Sequence, residues 1–395
     1  MGIWQRLGKT LDAFTLSPEA YMERYAGTEG RFPADDYTRI PIHLPATRGE
    51  IPVDEPRMLL SGGTATARYR VLNQLLTEQA RIGYAVVLLQ PVTEPLPLVF
   101  DAVYNATDGS YDPLLGLDAG TASVLLEDAA AVLSVKPSTL HFPLYDCLTY
   151  LSSRNGGLGI DAFLTASTRT IGYEAFRMGQ TDVAATHALP ESREIDYLRE
   201  RLRIPREGGQ TGQRASIRSA LRQGGVTVFR VPQRPAWFGL VLSELNLLLE
   251  RGDWIFPVFN ELAFREEMLP LLSRLRCGRC FSGQDIPGTP ALWREVVSGI
   301  NAACFLRHSG PSAEQVSGFF HTVERRKETF GTQSGSSRCN TGGFMGLFGS
   351  NTRSAGSTMT TTFQWEALIS AYEISNLGEE QAVFLDRGDV WKATV

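Results

Sequence analysis

From residue 58 the chain alternates between short unbroken apolar runs and longer stretches whose apolar residues recur every three or four positions. MLL at 58–60 runs into Ser61, Gly62 and Gly63, and the following segment carries Val71, Leu72, Leu75, Leu76 and Ala80, the spacing of an amphipathic helix. YAVVLLQP at 84–91 is a second compact run. Strand, glycine turn, helix and strand make a right-handed βαβ unit, and unbroken apolar strands belong to a parallel sheet covered on both faces. The alternation returns after residue 223. Runs at 224–232, 254–262, 280–285 and 302–308 read as strands, with helices at 237–252 and 266–276 between them. Residues from about 119 to 223 are patterned as helix throughout.

The expectation is an α/β core with a mostly parallel sheet, interrupted by an all-helical insertion. Its parts are an N-terminal helix and Pro-rich extended segment (1–55), a first part of the core (56–118), the helical insertion (119–223) and a second part of the core (224–330). A Gly/Ser/Thr-rich segment (331–362) and a C-terminal part of the core (363–395) follow. Residues 332–362 contain no acid and read as flexible. Inside them FMGLF, Phe344 to Phe348, is an apolar knot that fits either an incidental contact or a short docking motif.

Composition narrows the function. The 395 residues carry 38 Lys and Arg against 43 Asp and Glu, a net charge of -5, which excludes a whole-molecule polycation for nucleic acid. Only four of the cations are lysine (Lys9, Lys136, Lys327, Lys392). Five scattered cysteines point to a reducing compartment. The start lacks the apolar core of a signal peptide, and no apolar run approaches the ~18 to 20 residues of a membrane span, so a cytoplasmic protein is expected. Cys277, Cys280, Cys304 and His308 mimic zinc spacing but fall in apolar runs, so they read as core and turn residues, with no metal site expected. No nucleophile elbow is present.

A strand that enters a glycine turn and opens a helix is a phosphate-binding arrangement, because backbone N–H groups and the helix N-terminus face the anion. The octapeptide Gly62, Gly63, Thr64, Ala65, Thr66, Ala67, Arg68, Tyr69 aligns with G-x-x-x-x-G-K-[ST]. It keeps the first glycine, has Ala67 at the second, Arg68 at the lysine and Tyr69 at the magnesium-binding hydroxyl.

With GEIPVDEPRMLLSGG before the turn, YAVVLLQPVTEP after the helix, SYDPLLGL at 110–117, WIFPVFNEL at 254–262, LRCGRCFSGQDI at 275–286 and ISNLGEEQAVFL at 374–385, the chain resembles the coupling ATPases of type IV secretion and conjugation. This is the TraG/TraD group, relatives of the FtsK and HerA motors, and the resemblance runs over most of residues 48–395. It implies a RecA-like P-loop core, with Asn260 and Glu261 in the Walker B place and Gln284 at the end of a later strand. The departures fall on the chemistry. Arg68 is a planar fork rather than a compact ammonium, Tyr69 is no magnesium ligand, Asn260 replaces an aspartate, and Gln90, Val92 and Thr93 replace an acidic, lysine and glycine element. Phosphoryl transfer depends on positioning and metal charge. The resemblance with these losses implies a pseudo-ATPase: a structural or adaptor subunit of a secretion-like or DNA or protein transport system, leaning away from an enzyme, with Glu261 and Gln284 vestigial. It would bind no nucleotide or weakly held ATP or ADP without magnesium, and partner secretion-complex proteins or an active paralogous ATPase. Membrane association would come only through those partners. The alternative is an active P-loop motor driving DNA or protein translocation with Arg68 in the lysine's role. A third reading is DNA binding through Arg199, Arg201, Arg203, Arg206, Arg214, Arg218 and Arg222, although the pattern reads more simply as a solvated helix face plus a loop.

Overall fold

The computed structural model describes residues 56–135, 140–166, 193–205, 213–221, 225–285, 289–320, 322–338, 351–386 and 389–395. The apolar runs become the strands of one nine-stranded sheet. Seven are parallel: β1 (Arg57–Ser61), β2 (Ala85–Pro91), β3 (Ala102–Asn105), β4 (Val226–Val231), β5 (Ile255–Asn260), β6 (Arg279–Gly283) and β7 (Ala302–Phe305). The order is β11-β10-β7-β1-β6-β5-β2-β4-β3, where β10 (Gln381–Asp386) runs antiparallel to β7 and pairs with β11 (Asp389–Thr394). This is the α/β, mostly parallel architecture expected of a RecA-like core. β1 lies in the middle, with β6 between it and β5, so the glycine turn and the Asn260–Glu261 corner share one edge of the sheet.

Helix α1 (Ala65–Ile82) covers the sheet with Val71, Leu72, Leu75 and Leu76, all buried, and ends at Gly83 in the left-handed conformation that suits a glycine C-cap. The helical region supplies α2 (Ala119–Ala131), α3 (His141–Asn155), α4 (Ile160–Thr165), α5 (Arg193–Leu202) and α6 (Ile217–Leu221). Its described residues fall in the same compact unit as the sheet. Helix α7 (Pro235–Glu250) is buried on nearly every face, because the sheet takes one side and α2 the other. Gly239 permits this approach: a Cβ there would lie 2.7 Å from Ala129 Cα.

Three features differ from the sequence reading. β3 is an edge strand that the pattern did not predict. The helix expected at 266–276 is reduced to a 3₁₀ turn and the single turn α8 (Leu269–Leu272), with Pro270 at its start. The remaining described helices are α9 (Pro290–Val297), α10 (Pro311–Phe319) and α11 (Ala371–Ser375). The Gly/Ser/Thr-rich segment is not a flexible linker over its described residues. β8 (Thr322–Arg338) and β9 (Asn351–Ala367) pair antiparallel in continuous register from Thr322 opposite Ala367 to Arg338 opposite Asn351. They belong with α10 and α11 to a second compact unit over Ser309–Asn376. Phe344 to Phe348 lie outside the described residues.

A carboxyl group is sealed inside the first unit. Glu244 on α7 is 2% exposed, accepts the Tyr111 hydroxyl at 2.9 Å and the Arg218 N–H at 3.3 Å, and burial pushes its pKa up to about 8. It therefore carries its proton in the folded chain at neutral pH. The unfolded chain releases that proton near 4.5. Stability from this group is full below about pH 4.5 and declines as pH rises to about 8, by at most about 4 to 5 kcal/mol. Glu244→Gln keeps the shape without the titration, so urea unfolding between pH 5 and 8 should show a flatter stability profile than wild type and higher stability at pH 8.

Candidate functional site

The site is built where β1 meets α1. Gly62 and Gly63 both take positive φ, +88° and +63°. Space as well as backbone angle selects glycine here: a Cβ on Gly62 would lie 2.6 Å from His308 Nε2, and one on Gly63 would lie 2.7 Å from Leu306 Cβ. The turn is thus wedged against the segment that leaves β7. Its backbone donors go into neighbouring strand ends. Gly62 N–H donates to Gly283 O at 3.1 Å and Gly63 N–H to Arg307 O at 2.8 Å. Ser61 Oγ and His308 Nε2 are 3.0 Å apart, both buried, and burial lowers the His308 pKa.

The helix then begins at once. Thr64 is the N-cap, its hydroxyl accepting the Ala67 N–H at 3.3 Å, and Ala65, Thr66 and Ala67 are already helical. In the pattern G-x-x-x-x-G-K-[ST] those positions belong to the loop that wraps a phosphate chain. Arg68, in the first turn, folds back over the glycines. Its Nη1 donates to Gly62 O and to Gly63 O, both at 2.9 Å, and its Nη2 donates to Glu261 Oε1 at 2.6 Å. Arg68 and Glu261, far apart in sequence, are therefore brought together. They face each other rather than a shared open space.

Glu261 stands at the corner after β5 with φ +54°, one of two described non-glycine residues with positive φ. Its N–H donates to Ser282 O at 2.7 Å, and its Oε2 accepts the Gln284 N–H at 3.2 Å. Gln284 joins the site through this backbone group, while its side chain is exposed. Asn260 is buried and linked on both sides: Nδ2 donates to the Tyr69 oxygen at 3.0 Å, and Oδ1 accepts from Ser282 Oγ at 2.9 Å. Tyr69 also donates to Pro95 O at 2.9 Å, and burial, followed by the nearby Glu94 charge, raises its pKa to about 12. Gln90 is buried and donates to the same Pro95 carbonyl at 3.0 Å, closing the turn that carries Val92 and Thr93.

Sequence reasoning missed Gln233. Its Nε2 donates to Glu261 O at 2.6 Å and its Oε1 accepts the Ala263 N–H at 3.1 Å, bracing the corner from the loop before α7. No motif or spacing marks it. Beside the corner lies a cavity of about 380 Å³ lined by Ser61, Phe259, Glu261, Phe264, Phe281 and Gln284. A larger one, about 490 Å³, opens at the opposite ends of the strands around Tyr84, Trp254 and Arg276. Parallel α/β sheets bind ligands beyond their C-terminal strand ends, which favours the smaller cavity.

Of the described arginines between 199 and 222, Arg199 is buried, Arg214 and Arg218 are half-buried and Arg201 and Arg203 are exposed. Arg199 is buried, with Nε on Phe163 O at 2.9 Å, Nη1 on Asp196 Oδ1 at 3.0 Å and its guanidinium over the Phe163 ring. Arg203 donates to Leu164 O, Arg214 lies 3.7 Å from Asp112 and 3.6 Å from Asp161, and Arg218 donates to Leu115 O. Arg201 stacks on Tyr197 of its own helix. Arg206 and Arg222 lie outside the described residues. Cys280 of β6 lies opposite Met58 and Cys304 of β7 opposite Leu60 of β1, and burial pushes both thiols upward. Among the described residues no group of three or more His, Cys, Asp or Glu is placed to hold a metal ion, and no helix is long and apolar enough to cross a membrane.

No family model matches the chain, and no curated protein matches its sequence. Similar solved structures include the bacterial conjugative coupling protein TrwB in a sulphate complex, 16% identical with a TM-score of 0.48, over 90% of each chain. Another is plasmid coupling protein TrwB with ADP and Mg²⁺, 14% identical with a TM-score of 0.45, over 86% of this chain and 85% of that one. A third is VirB4 of Thermoanaerobacter pseudethanolicus, 12% identical with a TM-score of 0.48, over 88% of this chain and 91% of that one. These are likenesses of chain path, and they assign no role to any residue here.

The wedge predicts the effect of one methyl group. Gly62→Ala should lower stability by about 2 kcal/mol or more in urea unfolding, from the left-handed backbone and the overlap with His308 together.

Proposed function

We propose that this chain is a catalytically degenerate P-loop-type subunit, a pseudo-ATPase that serves as a structural or adaptor component of a type IV secretion-like or DNA or protein transport assembly. The observation that carries the reading is the direction of the turn's backbone. Anion sites of this kind work because several N–H groups converge on the phosphate. In this chain the Gly62 and Gly63 donors go to Gly283 O and Arg307 O, and the wrapping positions Ala65 to Ala67 are helical.

A magnesium nucleotide fits these residues poorly. Its metal normally takes a small hydroxyl after the lysine and an acid at the end of the Walker B strand. The corresponding residues are Tyr69, bonded to Asn260 and Pro95, and Asn260, bonded to Tyr69 and Ser282. Glu261, which polarises water in active relatives of the family that the sequence resembles, is held by Arg68. No hydrolytic step is derived through such a site. The secretion-related setting rests on the sequence resemblance and is the assembly-level part of the proposal. Partners would be proteins of such a complex, an active paralogous ATPase among them.

Isothermal titration of the full chain with ATP and Mg²⁺ should show no binding in the micromolar range, and a phosphate-release assay no turnover. Micromolar binding with turnover that Glu261→Gln abolishes would establish the active motor instead. The geometry also makes a less obvious demand. Because the obstruction lies in the backbone, restoring the motif side chains with Arg68→Lys and Tyr69→Thr together should leave ATP hydrolysis undetectable.

A further inference from the structure

We propose that Arg68 and Glu261 form an internal clasp that holds the first turn of α1 to the end of β5 across the intervening β6, so that this edge of the sheet is set without any ligand. The inference deepens the functional reading above and rests on it for the statement that nothing else occupies the position. In a nucleotide-binding protein, ligand phosphates join the glycine turn to the strand ends, and the ligand adds stability by mass action. Here one guanidinium makes those connections.

The geometry is that of a planar fork used on three acceptors. Nη1 bridges Gly62 O and Gly63 O at 2.9 Å each, and Nη2 reaches Glu261 Oε1 at 2.6 Å. An ammonium is a single point of charge and does not reproduce this spread of donors. The Arg68 side chain is 5% exposed and that of Glu261 21%, so the pair is shielded on the arginine side. The Arg68 Nε is buried with no hydrogen-bond partner, a desolvation cost that the bonds of the two Nη groups must offset.

The corner is built to present the carboxylate. Glu261 takes a φ of +54°, unfavourable for a residue with a Cβ. It is held there by its own N–H on Ser282 O, by Gln233 on its carbonyl and by the Gln284 N–H on Oε2. Glycine would relieve that backbone at once. A glutamate kept in a conformation suited to glycine is explained by what its side chain does, and its described ion-pair partner is Arg68.

The test is a double-mutant cycle in equilibrium urea unfolding of the full chain with Arg68→Met, Glu261→Gln and both together. Each single change should raise the unfolding equilibrium constant roughly ten- to a hundredfold, because it leaves one shielded charge unmatched. The double variant should fall short of the product of the two by about tenfold or more. Should Arg68→Met not fold, Arg68→Gln takes its place in the cycle. Glu261→Gly separates the clasp from mere strain: it should destabilise, although it relieves the left-handed backbone. Effects that multiply to within about twofold, or a Glu261→Gly variant as stable as wild type, overturn the clasp. A parallel unfolding series with ATP and Mg²⁺ keeps the two proposals apart. Nucleotide-dependent stabilisation of wild type together with phosphate release, with coupling still present, refutes the pseudo-ATPase reading and leaves the clasp standing.

Discussion

The approach of the Gly62–Gly63 turn to Leu306–His308 constrains everything else at this edge of the sheet. Two residues without side chains let the backbone come within contact of the strand exit on one side, and the contact turns both N–H groups into the sheet. Buried backbone donors need partners, and these have found them in carbonyls of β6 and of the segment after β7. With the donors turned inward the Gly62 and Gly63 carbonyls are left to be satisfied, and a cation in the first turn of α1 is the group that reaches them. Arg68 occupies that place, and its second nitrogen then requires an anion. Glu261 supplies it.

The consequences spread outward through hydrogen bonds rather than through apolar packing. Tyr69, next in the helix, ties Asn260 to the Pro95 carbonyl, and Gln90 donates to that same carbonyl. Gln233 carries the network from Glu261 toward α7. Arg68, Tyr69, Asn260 and Glu261 are each bonded to another part of the chain. The apolar core beneath is independent of these bonds. β1, β2 and β5 are buried along their length, and α1 is seated by its own leucines. A sheet of this kind can keep its architecture while the edge above it exchanges one function for another.

The fold was legible because burial on both faces of a parallel sheet writes itself as unbroken apolar runs, and the runs at 58–60, 84–91, 254–262 and 302–308 all became strands. β3 escaped because four residues of an edge strand carry little pattern. The ribbon β8–β9 escaped because its Gly/Ser/Thr composition is that of a linker, while its pairing depends on a register that composition does not express. At the site, Arg68 and Tyr69 after the glycine turn and Asn260 and Glu261 at the end of a strand could be singled out from the sequence. The direction of the glycine N–H groups could not. It is decided by His308 and Leu306, more than 240 residues away in the chain, and no local spacing announces them. The left-handed backbone of Glu261 and the brace from Gln233 were hidden for the same reason. Charge counted along the sequence does not show that Arg199 is inside.

The central claim is that the Gly62 and Gly63 amides belong to the sheet and not to a ligand. Residue-resolved amide hydrogen exchange on the nucleotide-free chain measures this directly. The account predicts that both amides are strongly protected without ligand and that ATP with Mg²⁺ leaves their protection unchanged. Fast exchange at both positions that becomes slow only when ATP and Mg²⁺ are added would contradict it.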